Sequence, residues 1–225
     1  MPNRPDVVAF DVIETMFSLE NVRTRMVDSG LPPHVLELWF ARMVRDGFAL
    51  TTGGTYQPFP VVARSALESV LAQHGLDASN APAILEGFSE LDAHPDVEPA
   101  LDLLAEAGIR IVTLSNGGAE TTSTLLDRAG FASRFEQVLS VDAVQRWKPH
   151  PAPYQYAADM VGVDPGRLTL IAVHSWDIFG AKQAGLTTGW ASRLEVTFPP
   201  ALGQPDVAGE TLPDVVRGLL DLPGN

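Results

Sequence analysis

The sequence predicts an α/β protein built on a doubly wound parallel sheet, and three observations carry that prediction. Short apolar runs recur along the chain and stop abruptly at polar residues, as strands buried on both faces do. Amphipathic helical patterns, most of them closed by a glycine, separate these runs. One long segment without a convincing strand interrupts the alternation and reads as an insertion into the sheet domain.

The first run, Val7-Val8-Ala9-Phe10, ends at Asp11. Residues 109–114 end at Ser115 and residues 168–173 end at His174, while 138–140 and 186–190 are weaker strand candidates. Helices are expected over 97–107 with Gly108 as stop, 120–129 with Gly130 as stop, 152–161, and 178–184 with Gly185 as stop. Between about residues 19 and 91 the periodicity gives helices over 35–48 and 60–74, with Gly53-Gly54 marking a turn and His94-Pro95 the return to the sheet. The expected organisation is a core of residues 1–18 and 92–225 carrying a helical cap of residues 19–91. The Pro- and Gly-rich stretch 197–206 is expected to be surface loop before a last helix over 212–220.

Composition excludes several functions. The 225 residues include no cysteine, which removes disulfides, thiolate metal sites and a cysteine nucleophile. A formal net charge of -13 disfavours long contact with nucleic acid or an anionic membrane surface. No apolar run is long enough to span a bilayer and the first residues do not resemble a signal peptide, so a cytoplasmic location is expected. The five histidines lack metal-ligand spacing, so no metal site is expected.

In an open parallel sheet the ligand crevice lies beyond the carboxyl ends of the strands, and those ends carry Asp11, Ser115-Asn116 and the stretch from His174 to Asp177. Each of Asp11, Ser115 and Asp177 alone reads equally well as a helix cap. Together at three strand ends they read as a site.

Four motifs sharpen this. Phe10-Asp11-Val12-Ile13-Glu14-Thr15, Thr113-Leu114-Ser115-Asn116-Gly117, Lys148-Pro149-His150-Pro151 and Ser175-Trp176-Asp177-Ile178-Phe179-Gly180-Ala181-Lys182 resemble, in order, the four motifs of the haloacid dehalogenase superfamily. The spacing from Lys148 to Tyr154 and the Trp176-Asp177-Ile178-Phe179-Gly180-Ala181 run are similar to the type II L-2-haloacid dehalogenases. The resemblance implies a Rossmannoid core with an inserted cap and hydrolysis of a small anionic 2-haloalkanoic acid through an aspartyl ester, giving a 2-hydroxy acid without cofactor or metal. It implies Asp11 as nucleophile, Thr15 and Lys148 to position it, and Asp177 to serve the water, a role that His174 would share by the chemistry of its own imidazole. Ser115 and Asn116 would hold the substrate carboxylate, and Val12, Ile13, Phe40, Tyr154 and Trp176 would contribute to substrate binding. Relatives of this type are often dimers, which leaves a homodimer open.

Ile13 bears on the reaction class. Phosphatases resembling this superfamily place a second Asp two residues after the nucleophile, and an alkyl side chain cannot protonate a poor leaving group. Halide needs no proton. A phosphatase or phosphoryl-transfer hydrolase, or a catalytically weak binding protein on the same fold, are the alternatives, because the sequence departs from the dehalogenase pattern at several places. Phe40 stands where an arginine usually receives the halide; Arg42, one helical turn from Trp39, is a better substitute than Arg45, with both in solvent as the other reading. Glu14 replaces a usual glycine and would raise the pKa of Asp11 if it points inward. His174 and Ala172 replace a usual Asn and Ser, and an imidazole at that place is either structural or the base for the hydrolytic water.

Overall fold

The computed structural model describes residues 2–224. Six strands, β1 (Val7–Phe10), β2 (Arg110–Ser115), β3 (Gln137–Ser140), β4 (Leu168–Ala172), β5 (Thr187–Ala191) and β6 (Val207–Gly209), pair in parallel in the order β3-β2-β1-β4-β5-β6. The chain builds outward from β1 to one edge and then restarts at β4 towards the other, so the order reverses between β1 and β4. That reversal opens a crevice at the carboxyl ends of β2, β1 and β4, where Ser115 is the last residue of β2, Asp11 directly follows β1 and His174 stands two residues beyond β4.

Side-chain alternation assigns the two faces. Val8, Phe10, Ile111 and Ile171 pack into the larger core with α5 (Val97–Glu106), α6 (Ala119–Ala129) and α9 (Leu212–Leu220). Val7, Ala9, Val112, Leu114, Leu168 and Leu170 face the other way, against α7 (Pro151–Val161) and α8 (Ser175–Gln183). Burial on both faces is why these strands read as continuous apolar runs.

Between β1 and α5 lie only helices: α1 (Glu20–Asp28), α2 (Val35–Thr52), α3 (Phe59–Gln73) and α4 (Ala81–Leu85), with short 3-10 turns. The chain leaves and returns at one place, where the Ser18 N–H donates to the Asp92 carbonyl at 2.9 Å and the His94 N–H to Met16 at 2.8 Å. α2 and α3 pack together, and the buried Trp39 indole donates to the Ala63 carbonyl at 3.0 Å. Trp147, on the loop after β3, joins the helices to the sheet. Its ring lies flat against Phe59 at 5.8 Å, its indole N–H donates to Gln57 at 3.0 Å, and its backbone N–H donates to the Thr51 hydroxyl. Gly47 permits this approach, because a Cβ there would stand 2.4 Å from the Trp147 ring. The Tyr56 hydroxyl hydrogen-bonds the Asp142 carboxylate and anchors its loop.

The expected strands and helices appear with end shifts of one to a few residues. Three elements went unforeseen. Helix α1 is polar on most sides and buries only Val22 and Met26, so it carries little periodicity; α4 is five residues long; β6 is a three-residue edge strand ending in glycine. No helix among the described residues is long and apolar enough to cross a membrane.

Candidate active site

Asp11 is the first residue after β1, its N–H still bonded to the Ile171 carbonyl at 3.0 Å, so the ladder itself aims its carboxylate out of the sheet. The chain then turns back through Ile13 to Phe17, with Glu14 at φ 64°, a left-handed conformation unusual for a residue with a side chain. This turn returns Thr15 to the nucleophile. The Thr15 hydroxyl donates to Asp11 Oδ2 at 2.7 Å and accepts from the Val173 N–H at 3.1 Å, tying the first loop to the end of β4.

Lys148 reaches the same carboxylate from the loop that precedes α7. Its ammonium donates to Asp11 Oδ1 at 2.9 Å, Asp177 Oδ2 at 2.6 Å and the Leu114 carbonyl at 2.7 Å, so all three hydrogens are used and the group is wholly buried. Asp177 Oδ1 accepts from the buried Tyr154 hydroxyl at 2.6 Å. The electrostatics follow from one buried cation between two buried anions. Burial pushes the Asp11 carboxyl up, but the charges of Lys148 and His174 and the Thr15 hydrogen bond outweigh it and hold Asp11 below the usual carboxylate range. Burial dominates at Asp177 and, with the charge of Asp11, raises it despite Lys148. Burial would lower Lys148, yet the two carboxylates raise it. Of the two carboxylates, Asp11 is the one whose ionised form is favoured, and it is the one that faces the cavity.

Ser115 and Asn116 end β2. The Ser115 hydroxyl accepts from the Gly117 N–H at 2.9 Å, which leaves its own hydrogen free, and Asn116 Oδ1 accepts from the Lys148 N–H at 2.8 Å, which leaves its amide hydrogens free. No side chain caps the N-terminus of α6 just beyond. Free donors and a helix N-terminus on one side of Asp11 make a place suited to a carboxylate.

On the other side His174 lies in a stack of rings, with Phe40 at 5.5 Å and Trp176 at 5.2 Å. Its Nε2 sits 3.3 Å from the Ile13 carbonyl, 3.8 Å from Asp11 Oδ2 and 3.6 Å from Glu14 Oε2. Three acceptor oxygens thus surround that nitrogen. Glu14 points past His174 into an open cleft of about 540 Å³ and not onto the nucleophile; burial raises its carboxyl, with His174 opposing and Asp11 adding to the rise.

The cavity over Asp11 is small, about 20 Å³, enough for roughly one water. Ile13, Phe40, Ser115, Asn116, His174 and Trp176 line it, and so do Met43, Val44, Phe59 and Trp147. The last four were not singled out from the sequence as site residues. Trp147 had a signal in its place beside Lys148, whereas the others read as ordinary helix core.

Four expectations need correction. Arg42 is remote: it hydrogen-bonds Gln73 at 2.7 Å in a surface pocket with Arg45 and Asp46, because the cavity-facing edge of α2 carries Phe40, Met43 and Val44. The side chain of Val12 is buried in the core, and its carbonyl accepts the N–H groups of Met16 and Phe17 that close the turn. Tyr154 lies behind Asp177, buried in the layer of α7, and does not line the cavity over Asp11. Asp177 has both oxygens occupied by Lys148 and Tyr154 and does not reach the cavity where water would stand. Among the described residues no three His, Asp or Glu side chains are grouped to hold a metal ion.

Comparison with known proteins identifies a family. A family model described as "haloacid dehalogenase-like hydrolase" matches residues 6–185. The (S)-2-haloacid dehalogenase 1 of Pseudomonas sp. (strain CBS-3) is 31% identical over 179 residues, covering 76% of this chain and 78% of its own. Haloacetate dehalogenase H-2 of Moraxella sp. (strain B) is 26% identical over 220 residues, covering 94% and 96%. The solved L-2-haloacid dehalogenase from Xanthobacter autotrophicus with chloropropionic acid covalently bound superposes with a TM-score of 0.84 at 25% identity, over 95% of this chain and 97% of that one.

Proposed function

Because this chain belongs to the haloacid dehalogenase-like hydrolases, we propose that it hydrolyses a 2-haloalkanoic acid to the 2-hydroxy acid through an ester on Asp11, using no metal. The observation that carries the reading is the ionised Asp11 carboxylate at the cavity floor, with a lysine ammonium, 2.9 Å away, supplying the positive charge. Ile13 two residues on adds no acid to protonate an alkoxide, which suits a leaving group that departs as an anion.

In the first step an Asp11 oxygen attacks C2 of the substrate in line with the carbon–halogen bond. The C–O bond forms, the halide leaves with its electron pair, and the carbon inverts. Ser115, the Asn116 amide and the start of α6 hold the substrate carboxylate against the repulsion of Asp11. Phe40, Met43 and Trp176 offer the departing halide the positive edges of aromatic rings and a polarisable thioether in place of a guanidinium. In the second step water adds to the Asp11 ester carbonyl. His174 takes one water proton as the water oxygen bonds the ester carbonyl carbon, and returns it to the alkoxide oxygen as the acyl C–O bond breaks; the other water proton passes to solvent, the product leaves as the alcohol, and Asp11 is restored as the carboxylate. Asp177 acts at one remove by holding Lys148.

A single turnover in H₂¹⁸O tests the reading, because water attacks the ester carbonyl. The label is expected in Asp11, located by peptide mapping, and not in the first-formed 2-hydroxy acid; label in that acid would rule out the ester. Halide release from a 2-haloacid panel, beside phosphate release with and without Mg²⁺, separates dehalogenase from phosphatase. The proposal also includes the division into core and cap at residues 19 and 91, supported by the Ser18–Asp92 hydrogen bond, a cytoplasmic location and a homodimer. Light scattering of the purified protein and cell fractionation check the last two.

A further inference from the structure

The cavity over Asp11 does not end there. It shares Ile13, Phe59, Ser115 and Gly117 with a second chamber of about 220 Å³ wedged between the start of α3, the 3-10 turn after α4 and the first turns of α6. Phe59, Ala63, Leu85, Phe88 and Leu125 give it apolar walls, while the exposed Pro60, Glu86 and Ser89 mark its open rim. No Lys, Arg or His lines it, and Glu86 carries the one charge at its edge.

We propose that this chamber is a subsite for an unbranched alkyl tail on C2 of the substrate, so that the preferred substrates are 2-haloalkanoic acids of medium chain length. The inference rests on the dehalogenase reading and adds a substrate class to it. Size permits the length: a chamber of about 220 Å³, against about 20 Å³ over Asp11, accommodates a tail of about four to six carbons with slack. Direction follows from the shared walls. With the carboxylate on Ser115 and Asn116 and C2 over Asp11, the remaining substituent that avoids the Phe40–His174–Trp176 stack runs past Ile13 and Phe59 into the chamber. Charge excludes the other occupant that the start of α6 suggests, a second carboxylate, because no cation would meet it and Glu86 would repel it.

The test pairs turnover with binding. For the wild-type enzyme kcat/KM for 2-bromopropionate, 2-bromobutanoate, 2-bromopentanoate and 2-bromohexanoate is expected to rise by about fourfold per methylene, the equivalent of about 0.8 kcal/mol for each buried CH₂. Pro60→Trp and Ser89→Trp add bulk to the chamber from the start of α3 and from the turn after α4, without touching Asp11 or the start of α6. Both are expected to flatten the series and leave 2-bromopropionate turnover unchanged. 2-Bromoglutarate should be a worse substrate than 2-bromopentanoate. Calorimetry with the unreactive 2-hydroxyalkanoates of the same lengths reads the subsite without chemistry and should show the same slope. A binding series that is flat in the wild type, or equally steep in both variants, overturns the subsite. If binding steepens with chain length while no 2-haloacid releases halide, the subsite stands and the dehalogenase reading falls.

Discussion

Replacing Lys148 with Met removes the ammonium that bridges two buried carboxylates while nearly keeping side-chain volume. In the native protein the ammonium satisfies Asp11 at 2.9 Å and Asp177 at 2.6 Å with no solvent contact, so the variant strands both anions. Asp11 keeps the Thr15 hydroxyl and Asp177 keeps the Tyr154 hydroxyl, but neither hydrogen bond replaces a full charge. Breaking a buried ion pair from one side costs about 3–5 kcal/mol. The pH dependence is the sharper signature. Without lysine, burial dominates at Asp11 as it already does at Asp177, so both folded pKa values lie above their unfolded ones. A carboxylate with a raised folded pKa contributes stability below its unfolded pKa and loses it as pH rises through the folded value. The deficit of Lys148→Met relative to wild type should therefore be small near pH 4 and grow towards neutrality, at about 1.4 kcal/mol per unit of pKa displacement. Urea denaturation between pH 4 and 8 measures it, provided the slope of stability on urea is unchanged. Lys148→Met/Asp177→Asn, which withdraws one stranded charge, should recover part of the loss at pH 7. A deficit below about 1 kcal/mol at pH 7, or one independent of pH, would refute the claim that this lysine balances two ionised or ionisable carboxylates.

Asp11→Asn should abolish halide release with little change in urea midpoint, since the amide retains shape and loses nucleophilicity; wild-type turnover would exclude covalent catalysis by this residue. His174→Ala should permit alkylation and slow ester hydrolysis, so that intact-protein mass spectrometry shows an adduct that the wild type does not accumulate. Arg42→Ala and Arg45→Ala should leave kcat/KM within about twofold of wild type, because both lie in a surface pocket remote from Asp11; a loss of tenfold or more from Arg42→Ala would return the halide to that arginine. Glu14→Gln should stabilise the protein, more so at pH 7 than at pH 4. The Glu14 carboxyl is raised by burial, so its ionised form weakens the fold above its folded pKa, and equal effects at both pH values would contradict that.

What the sequence determined by itself is the sheet and the identity of its chemical groups. Strands buried on both faces write themselves as apolar runs, and the polar residues that end them mark the crevice, so Asp11, Ser115 and His174 were legible through their joint placement at strand ends, though none was legible alone. Lys148 was legible through its motif. The sequence did not determine which of the residues near these groups reach the cavity. Arg42 and Phe40 are two positions apart on α2, and only the packing of α2 against α3 and Trp147 decided that the aromatic side faces Asp11 and the arginine faces solvent. Asp177 and His174 are three residues apart, yet Lys148 and Tyr154 close around one and leave the other at the cavity wall. Local sequence sets backbone conformation and hydrophobic period, which act over a few residues. Which polar atoms are already occupied depends on partners more than a hundred residues away, such as Lys148 for Asp11, and only the assembled tertiary structure brings those partners within reach.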